Sequence, residues 1–579
     1  MSDLKRFFEA LNNEEKKIIP ALASDRLGLL LRCAINELDW YGYNFSRADN
    51  PTTSMEEQFY ILRLGVVRLI KLSLDSNASF DFPVVTTVRR RELTIPVLEI
   101  ASALGMIQHG RRVAQTVMQG IGSIKEVSSN VFEIVLPEDV VDESYHEREV
   151  FHHFQAESRR LFSEIKETAA WQNVEAEVDA LLFELVYVFE KHYIGYGGDP
   201  LLDQYFYSLA YHEMMLCEGF DTFNYKVTFG GVRFQSYILA LVYISSIFRR
   251  HERFCEALVE KDSSVRLENI LTISSDRDGF VESIRDAVNH FGRVFEDFEE
   301  ISISQADTIF NVLSCGRSNT SLIDAPGAPV PFMIRCSEEG FIRCLTGGKT
   351  EPVRYLLDSL RFHYPKDYDR HQQGRELSMQ RAARRVLDDA ISGLDYRDNI
   401  VLRLGGRTLT DVDFVVLEKD SGIVILCQLK YQELYGADLH AKRVRSDRLR
   451  QQVAGWIEAV DEWLETIESH KLRETLQLVK DFPEPRICRL VISKHFSHPL
   501  RGLLSGGQDF HCNWPLFVNA ALLAKRDSSN PGLDEMLQII KRVQENLKIP
   551  THFPEPSTRW KIDELVFLTT QQKSSESFD

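Results

Sequence analysis

The stretch Asp411–Gln432 reads DVDFVVLEKDSGIVILCQLKYQ, and the fold turns on how it is read. Asp413–Leu417 is apolar and β-branched after its leading Asp. Ile423–Lys430 is similar and ends in polar residues. Between them Lys419-Asp420-Ser421-Gly422 is a cluster of turn formers, so the pattern predicts a β-hairpin. A turn centred between Asp420 and Ser421 sets Asp413 opposite Gln428. Side chains alternate faces along a strand, so Gln428 and Lys430 share one. Three polar groups then converge at one end of an otherwise apolar hairpin, and a purely structural hairpin has little use for them.

A carboxylate and an amide carbonyl offer oxygen ligands to a hard cation such as Mg²⁺. A lysine beside them can position an attacking water or balance charge on a phosphate. Asp413 followed by Gln428-Leu429-Lys430 resembles the core of the PD-(D/E)xK nuclease superfamily, with the Gln-x-Lys form of the Mrr-type restriction endonucleases. The family carries an acidic residue on the helix before the hairpin, and Glu376 in GRELSMQRAARRVL takes that place. The resemblance covers about residues 330–550. It implies Mg²⁺ or Mn²⁺ held by Glu376, Asp413 and Gln428, with Lys430 completing the catalytic set. Gln in place of the commoner acid keeps the oxygen but removes a negative charge, so weaker metal binding is expected. The Mrr-like form implies a restriction or anti-phage defence role, either as a homo-oligomer or with a partner protein.

The formal net charge is −18, which opposes non-specific nucleic-acid binding by the molecule as a whole. A nuclease of this charge needs local basic surfaces. One candidate for nucleic-acid contact is Lys442, Arg443, Arg445, Arg448 and Arg450, set against Asp447 alone. The other is Arg375, Arg381, Arg384 and Arg385 around Glu376. The bland alternative for both is a solvated helix face. Nine cysteines without a CxxC pair read as reduced, mostly buried thiols of a cytoplasmic protein. The N-terminal MSDLKRFFEALNNEEKK has no signal-peptide core, and the apolar stretch Tyr237–Phe248 is too short to span a bilayer. No membrane partner is expected.

Before the hairpin, residues 1–80 read as helices, with Phe59, Leu62, Val66, Leu69 and Ile70 at helical spacing. Arg89-Arg90-Arg91, a helix over Val97–Leu104, a turn at Gly105, a second helix with Arg111 and Arg112, and a strand at Val131–Val135 follow the order of a winged helix-turn-helix. Residues 146–310 read as almost wholly helical, with Leu181, Leu182, Leu185, Val188 and Phe189 as one stripe. Residues 315–331, CGRSNTSLIDAPGAPVP, gather Gly, Ser and Pro and mark the best boundary.

Beyond the hairpin, Ser446–Ile467 reads as a long helix in which Gln452 and Trp456 lie one turn apart. The run Ile487–Ser493 reads as a buried strand. The Gln452–Trp456 pair is loosely like a motif of RecB-like superfamily members, though simple helix packing is the better reading of it. His495, His498, His511 and Cys512 match no common zinc spacing. From Ser574 onward the chain reads as a disordered tail.

These readings give a helical N-terminal half and a C-terminal α/β domain, a restriction-endonuclease-like mixed sheet flanked by helices. The expected divisions are 1–145 with the candidate winged helix-turn-helix, 146–315, 330–550 with the nuclease motif, and a tail from 551 to 579. The expected function is metal-dependent hydrolysis of phosphodiester bonds in nucleic acid, DNA first. The alternative is a non-catalytic nucleic-acid-binding or sensor protein that retains the scaffold.

Overall fold

The computed structural model describes residues 2–22, 27–48, 52–76, 88–120, 122–137, 160, 167–218, 223–432, 439–503, 507–529, 531–546 and 557–572. The N-terminal half is helical and the C-terminal half is a mixed sheet between helices. Among the described residues no helix is long and apolar enough to cross a membrane.

The helical half begins with α1 (Asp3–Leu22), α2 (Leu27–Arg47), α3 (Thr53–Asp75) and α4 (Arg91–Met118). The predicted stripe on α3 is present, with Leu62, Val66, Leu69 and Ile70 buried. The expected turn at Gly105 is absent, because α4 runs unbroken through it. A Cβ at Gly105 would lie 2.1 Å from the Ile61 carbonyl oxygen, and one at Gly65 would lie 1.7 Å from that of Ala101. The glycines let α3 and α4 cross with backbones touching, which removes the helix-turn-helix. Arg111 donates to Glu15 and Asn12, and Arg112 stacks over the Tyr60 ring, so both basic groups are engaged inside the fold.

After β1 (Ser123–Ser128) and β2 (Val131–Pro137) come α5 (Ala169–Leu185), β3 (Val186–Phe189), β4 (Tyr193–Tyr196) and α6 (Pro200–Glu218). The helical stripe expected through Phe189 therefore stops at Leu185 and becomes a hairpin. β5 (Thr228–Phe229) and β6 (Val232–Arg233) pair as a short hairpin, and the run Tyr237–Phe248, buried except at half-buried Tyr243, lies in α7 (Phe234–Lys261). The helical body continues through β7 (Ile273–Asp276), α8 (Arg277–Gly292), α9 (Ile303–Leu313), β8 (Met333–Arg335), β9 (Gly340–Arg343), α10 (Leu345–Thr350), α11 (Pro352–His363) and α12 (Pro365–His371).

One apolar core runs from Leu22 to Tyr368, so the divisions expected near 145 and 315 do not separate cores. The Gly- and Pro-rich segment 315–331 is packed rather than a linker. Cys315, Ile323, Ala328 and Val330 are buried in that core. The Cys315 N–H donates to Met333 O at 2.8 Å and the Arg335 N–H to Cys315 O at 2.7 Å. Asn319 supplies the hydrogen bonds that a buried irregular backbone needs, accepting from Gly316 N–H and donating to Ser314 O. The next core begins at Met379, which moves the boundary to the short connection Gln372–Gly374.

The second half is built from α13 (Arg375–Ala390), β10 (Leu394–Leu404), β11 (Arg407–Glu418), β12 (Ile423–Lys430), α14 (Leu439–Thr466), α15 (Ser469–Thr475), β13 (Arg486–Ser493), β14 (Asp509–Asn513), α16 (Trp514–Asp527) and α17 (Leu533–Asn546). The strands are ordered β10-β11-β12-β13-β14, the first two pairings antiparallel and the last two parallel. β12 is buried on both faces, which explains its near-continuous apolar run. Ile423, Ile425, Cys427 and Leu429 face α13, α16 and α17, while Val424 and Leu426 face α14 through Leu449, Val453, Trp456, Val460 and Trp463.

The expected tail instead contains β15 (Ser557–Ile562) and β16 (Leu565–Gln572). β16 pairs in parallel with β2, giving a sheet ordered β1-β2-β16-β15. Phe567 and Leu565 close a core with Phe7, Leu11, Ile107 and Phe132. Burial of these side chains is what recruits the segment to the sheet. The disorder expected from Ser574 lies outside the described residues.

Candidate active site

The hairpin turns where expected, with Gly422 at φ 70 donating to Lys419 O. The predicted register holds through Phe414↔Cys427, where the β11–β12 ladder ends. On the other side, the β10–β11 pairing passes from Asp398↔Phe414 to Ile400↔Val412 and skips Asp413. Asn399, at the skipped place, adopts φ 49, a left-handed conformation that Asn tolerates better than most residues. Asp413 thus sits just past the end of its strand's pairing with β12 and at an unpaired step of its pairing with β10.

The Asp413 carboxylate fills the gap. Its Oδ2 accepts the Leu429 N–H at 2.5 Å, in place of the main-chain acceptor that an unbroken ladder would supply. Asp413 has the parity of Val415 and Leu417, and Gln428 and Lys430 have the parity of Val424 and Leu426. All of these apolar residues face α14. Burial raises the Asp413 carboxyl from 3.8 to about 6. The Leu429 N–H and the Lys430 ammonium work against that rise, and the Glu376 and Asp411 carboxylates add to it. Lys430 and Glu376 are therefore each near enough to act on the Asp413 charge.

Glu376 is exposed in the first turn of α13. One turn further along, Gln380 is buried and fixes the helix against the strand. Its Nε2 donates to Asp413 O at 3.0 Å and to Asp398 Oδ1 at 2.5 Å. The sequence reading missed Gln380, and only its spacing of four from Glu376 could have pointed to it.

Gln428 is 6% exposed, and its Oε1 is buried without a hydrogen-bond partner. A buried acceptor left unpaired carries its full desolvation cost, so its retention calls for an explanation. An oxygen-seeking cation is one that fits the chemistry. Among the described residues no three His, Cys, Asp or Glu side chains gather closely enough to hold a metal by themselves. The set consists of two carboxylates and one amide oxygen, all hard donors suited to Mg²⁺ or Mn²⁺.

Lys430 is half-buried and pairs in register with Ser493 on β13, another residue the sequence reading passed over. Paired residues of a parallel ladder point the same way, so Ser493 flanks Lys430 on the α14 side. Its hydroxyl is buried without a partner. The next residue but one, His495, is held well below the usual imidazole range by burial, with the Lys494 and Arg375 charges adding to the effect.

No protein-family model matches the chain, and no curated protein or solved structure matches it either. The site's own geometry therefore carries the functional argument.

The basic residues divide into three groups. Arg375 is buried among aromatic rings, and Arg384 pairs with Asp398, so neither is a free phosphate contact. Arg450 donates to Pro499 O and Arg501 O, holding the loop after β13. Arg381, Arg385 and Arg448 are exposed and have no ion-pair partner among the described residues, and Arg445 is half-buried. Lys442 and Arg443 fall within α14, but their side chains lie outside the described residues. Trp456 is buried and donates to Asp411 O at 3.0 Å, whereas Gln452 is exposed, so packing accounts for that pair.

Proposed function

We propose that this chain is a metal-dependent nuclease whose site is formed by Asp413, Gln428, Lys430 and Glu376. The observation that carries this reading is the buried Gln428 carbonyl oxygen without a partner, on the same face as a carboxylate raised to about 6 with a lysine acting on it. The order helix, three antiparallel strands, crossover helix and parallel strand supports the resemblance to PD-(D/E)xK nucleases. Asp413, Glu376 and Gln428 would hold Mg²⁺ or Mn²⁺. When bound, such a cation supplies Lewis-acid polarisation of a phosphoryl group. Lys430 orients the attacking water and balances the charge that develops on phosphate. Exposed Arg381, Arg385 and Arg448 contact the backbone of the substrate, which is DNA in the leading form of this reading. A restriction or defence role is its furthest extension.

Among the described residues no three His, Cys, Asp or Glu side chains gather to hold a metal, which favours a second reading, a nucleic-acid-binding or sensor protein on the same scaffold. Incubation of the full chain with labelled DNA and RNA, with and without Mg²⁺ or Mn²⁺, separates the two. Metal-dependent cleavage lost in Asp413→Asn and Lys430→Ala supports the nuclease. Binding without cleavage under any metal supports the scaffold.

A further inference from the structure

β12 and β13 run in parallel and stop side by side, at Lys430 and Ser493. The Lys494 N–H donates to Lys430 O at 2.9 Å and closes the ladder there. In open α/β sheets, ligands bind outside the carboxyl ends of such strands. Two buried side-chain oxygens at this edge, Gln428 Oε1 and Ser493 Oγ, have no hydrogen-bond partner among the described residues. Both lie on one face. Val491, paired with Gln428 and two residues before Ser493, packs with Val424 and Leu426 in the core against α14. Side chains two apart along a strand share a face, so Ser493 joins Gln428 and Lys430 there.

The spacings decide what these oxygens can share. Strands about 4.8 Å apart, rising about 3.3 Å per residue, set the backbones of Lys430 and Ser493 about 5 Å apart and those of Gln428 and Ser493 about 8 Å apart. A water that bridges two polar atoms spans about 5.5 Å between them, so one water can serve all three side chains. Asp413 lies on β11, two strands and about 10 Å from Ser493. Oxygen ligands on opposite sides of a Mg²⁺ ion are only about 4 Å apart, which leaves Ser493 outside the metal set. Ser493 is also 0% exposed, which suits a water and not a phosphate group. Internal water is the usual partner of buried polar groups that the protein leaves unpaired.

We propose that Ser493 is a further catalytic residue, which together with Gln428 and Lys430 holds the attacking water. The inference rests on the nuclease reading given above. The water donates one hydrogen to Ser493 Oγ and the other to a lone pair of Gln428 Oε1, and it accepts from the Lys430 ammonium. A carbonyl oxygen has two lone pairs, so Gln428 keeps one for a cation. The water's own remaining lone pair is left for phosphorus. In hydrolysis the water oxygen bonds to phosphorus and the P–O ester bond breaks. One proton of the water passes to solvent and the leaving oxygen takes one up, so Ser493 keeps its own. Lys430 is half-buried, and its side chain connects the buried hydroxyl to the surface from which substrate arrives.

The test is steady-state cleavage of labelled DNA by the full chain with Mn²⁺, read together with Mn²⁺ affinity and melting temperature. Ser493→Ala should lower kcat about a hundredfold, the loss that a misplacement of about 1 Å produces. KM and Mn²⁺ affinity should stay within about twofold of wild type, the signature of a group that acts in the transition state. The melting temperature should rise, because a buried unpaired hydroxyl is gone. Ser493→Thr keeps the hydroxyl and should recover most of the lost kcat. A Ser493→Ala enzyme with unchanged kcat overturns the inference and leaves the site standing. So does a loss of kcat matched by an equal loss of Mn²⁺ affinity, which would make Ser493 a ligand, or a Thr variant as slow as the Ala one, which would make the effect one of packing. If wild type shows no metal-dependent cleavage, or cleaves no faster than Asp413→Asn, the nuclease reading falls and this inference with it.

Discussion

Asp413→Asn should make this protein more stable while removing a ligand of the proposed metal site. The native Asp413 carboxyl ionises at about 6, against 3.8 for an unburied one. The folded chain thus holds the Asp413 proton more tightly than the unfolded chain does. Stability is lost as pH rises from about 4 to about 6, and the whole cost is present above 6. Converting that difference at 1.36 kcal/mol per pH unit gives about 3 kcal/mol at pH 8. Asn keeps an oxygen for the Leu429 N–H and carries no charge, so it escapes the penalty. At about 2–4 °C per kcal/mol for a domain of this size, the unfolding temperature should rise by roughly 6–12 °C at pH 8. Near pH 3.5 the two proteins should melt together. Mg²⁺ should close the gap at pH 8 by stabilising only the wild type. Metal binding needs the ionised carboxylate, so wild-type Mg²⁺ affinity should also fall about tenfold per pH unit below about 6. Melting curves from pH 3.5 to 8, with and without Mg²⁺, provide the assay. An Asn variant less stable at pH 8, or a gap independent of pH, would refute the argument.

Gln428→Leu removes the unpaired buried acceptor and should stabilise the metal-free protein by about 1–3 kcal/mol in denaturant titrations. Gln428→Glu should instead tighten Mg²⁺ binding by calorimetry, and indifference to that change would show that Gln428 is no ligand. Replacing Arg381, Arg385 and Arg448 together by Ala should flatten the salt dependence of duplex binding by about 0.9 per lost phosphate contact, measured by fluorescence anisotropy. Arg111→Ala should lower stability, because Glu15 loses one of its two arginines, yet leave nucleic-acid affinity unchanged in the same assay.

The hairpin was legible because all its signals are local. Turn formers, β-branched runs and alternation fix its register without reference to the rest of the chain, and Glu376 follows from its place on the preceding helix. What the sequence hid was set by packing at a distance. Gly105 has the same letter whether it turns a chain or lets two helices touch, and only Gly65 opposite it decides between them. The segment 315–331 looks like a linker by composition, but the side chain of Asn319 satisfies its buried backbone. Arg375 reads as part of a basic patch, since rings at positions 223, 368 and 431 are not neighbours until the chain folds. The β2–β16 pairing joins residues from opposite ends of the sequence and leaves no periodic trace.

That last pairing has a consequence for how the protein is made. β2 leaves the ribosome early, and its partner β16 begins at Leu565. At roughly 5–20 residues per second the wait between them is about 20–90 s. Throughout that interval Phe7, Leu11 and Phe132 have no Phe567 to cover them, and the edge of β2 is open to any other extended chain. The candidate site is translated inside the same window, so its own sheet can close while the N-terminal sheet is still unfinished. A product truncated before residue 557 would carry the whole candidate site on a molecule with an unsealed end, and should be drawn preferentially to chaperones and proteases.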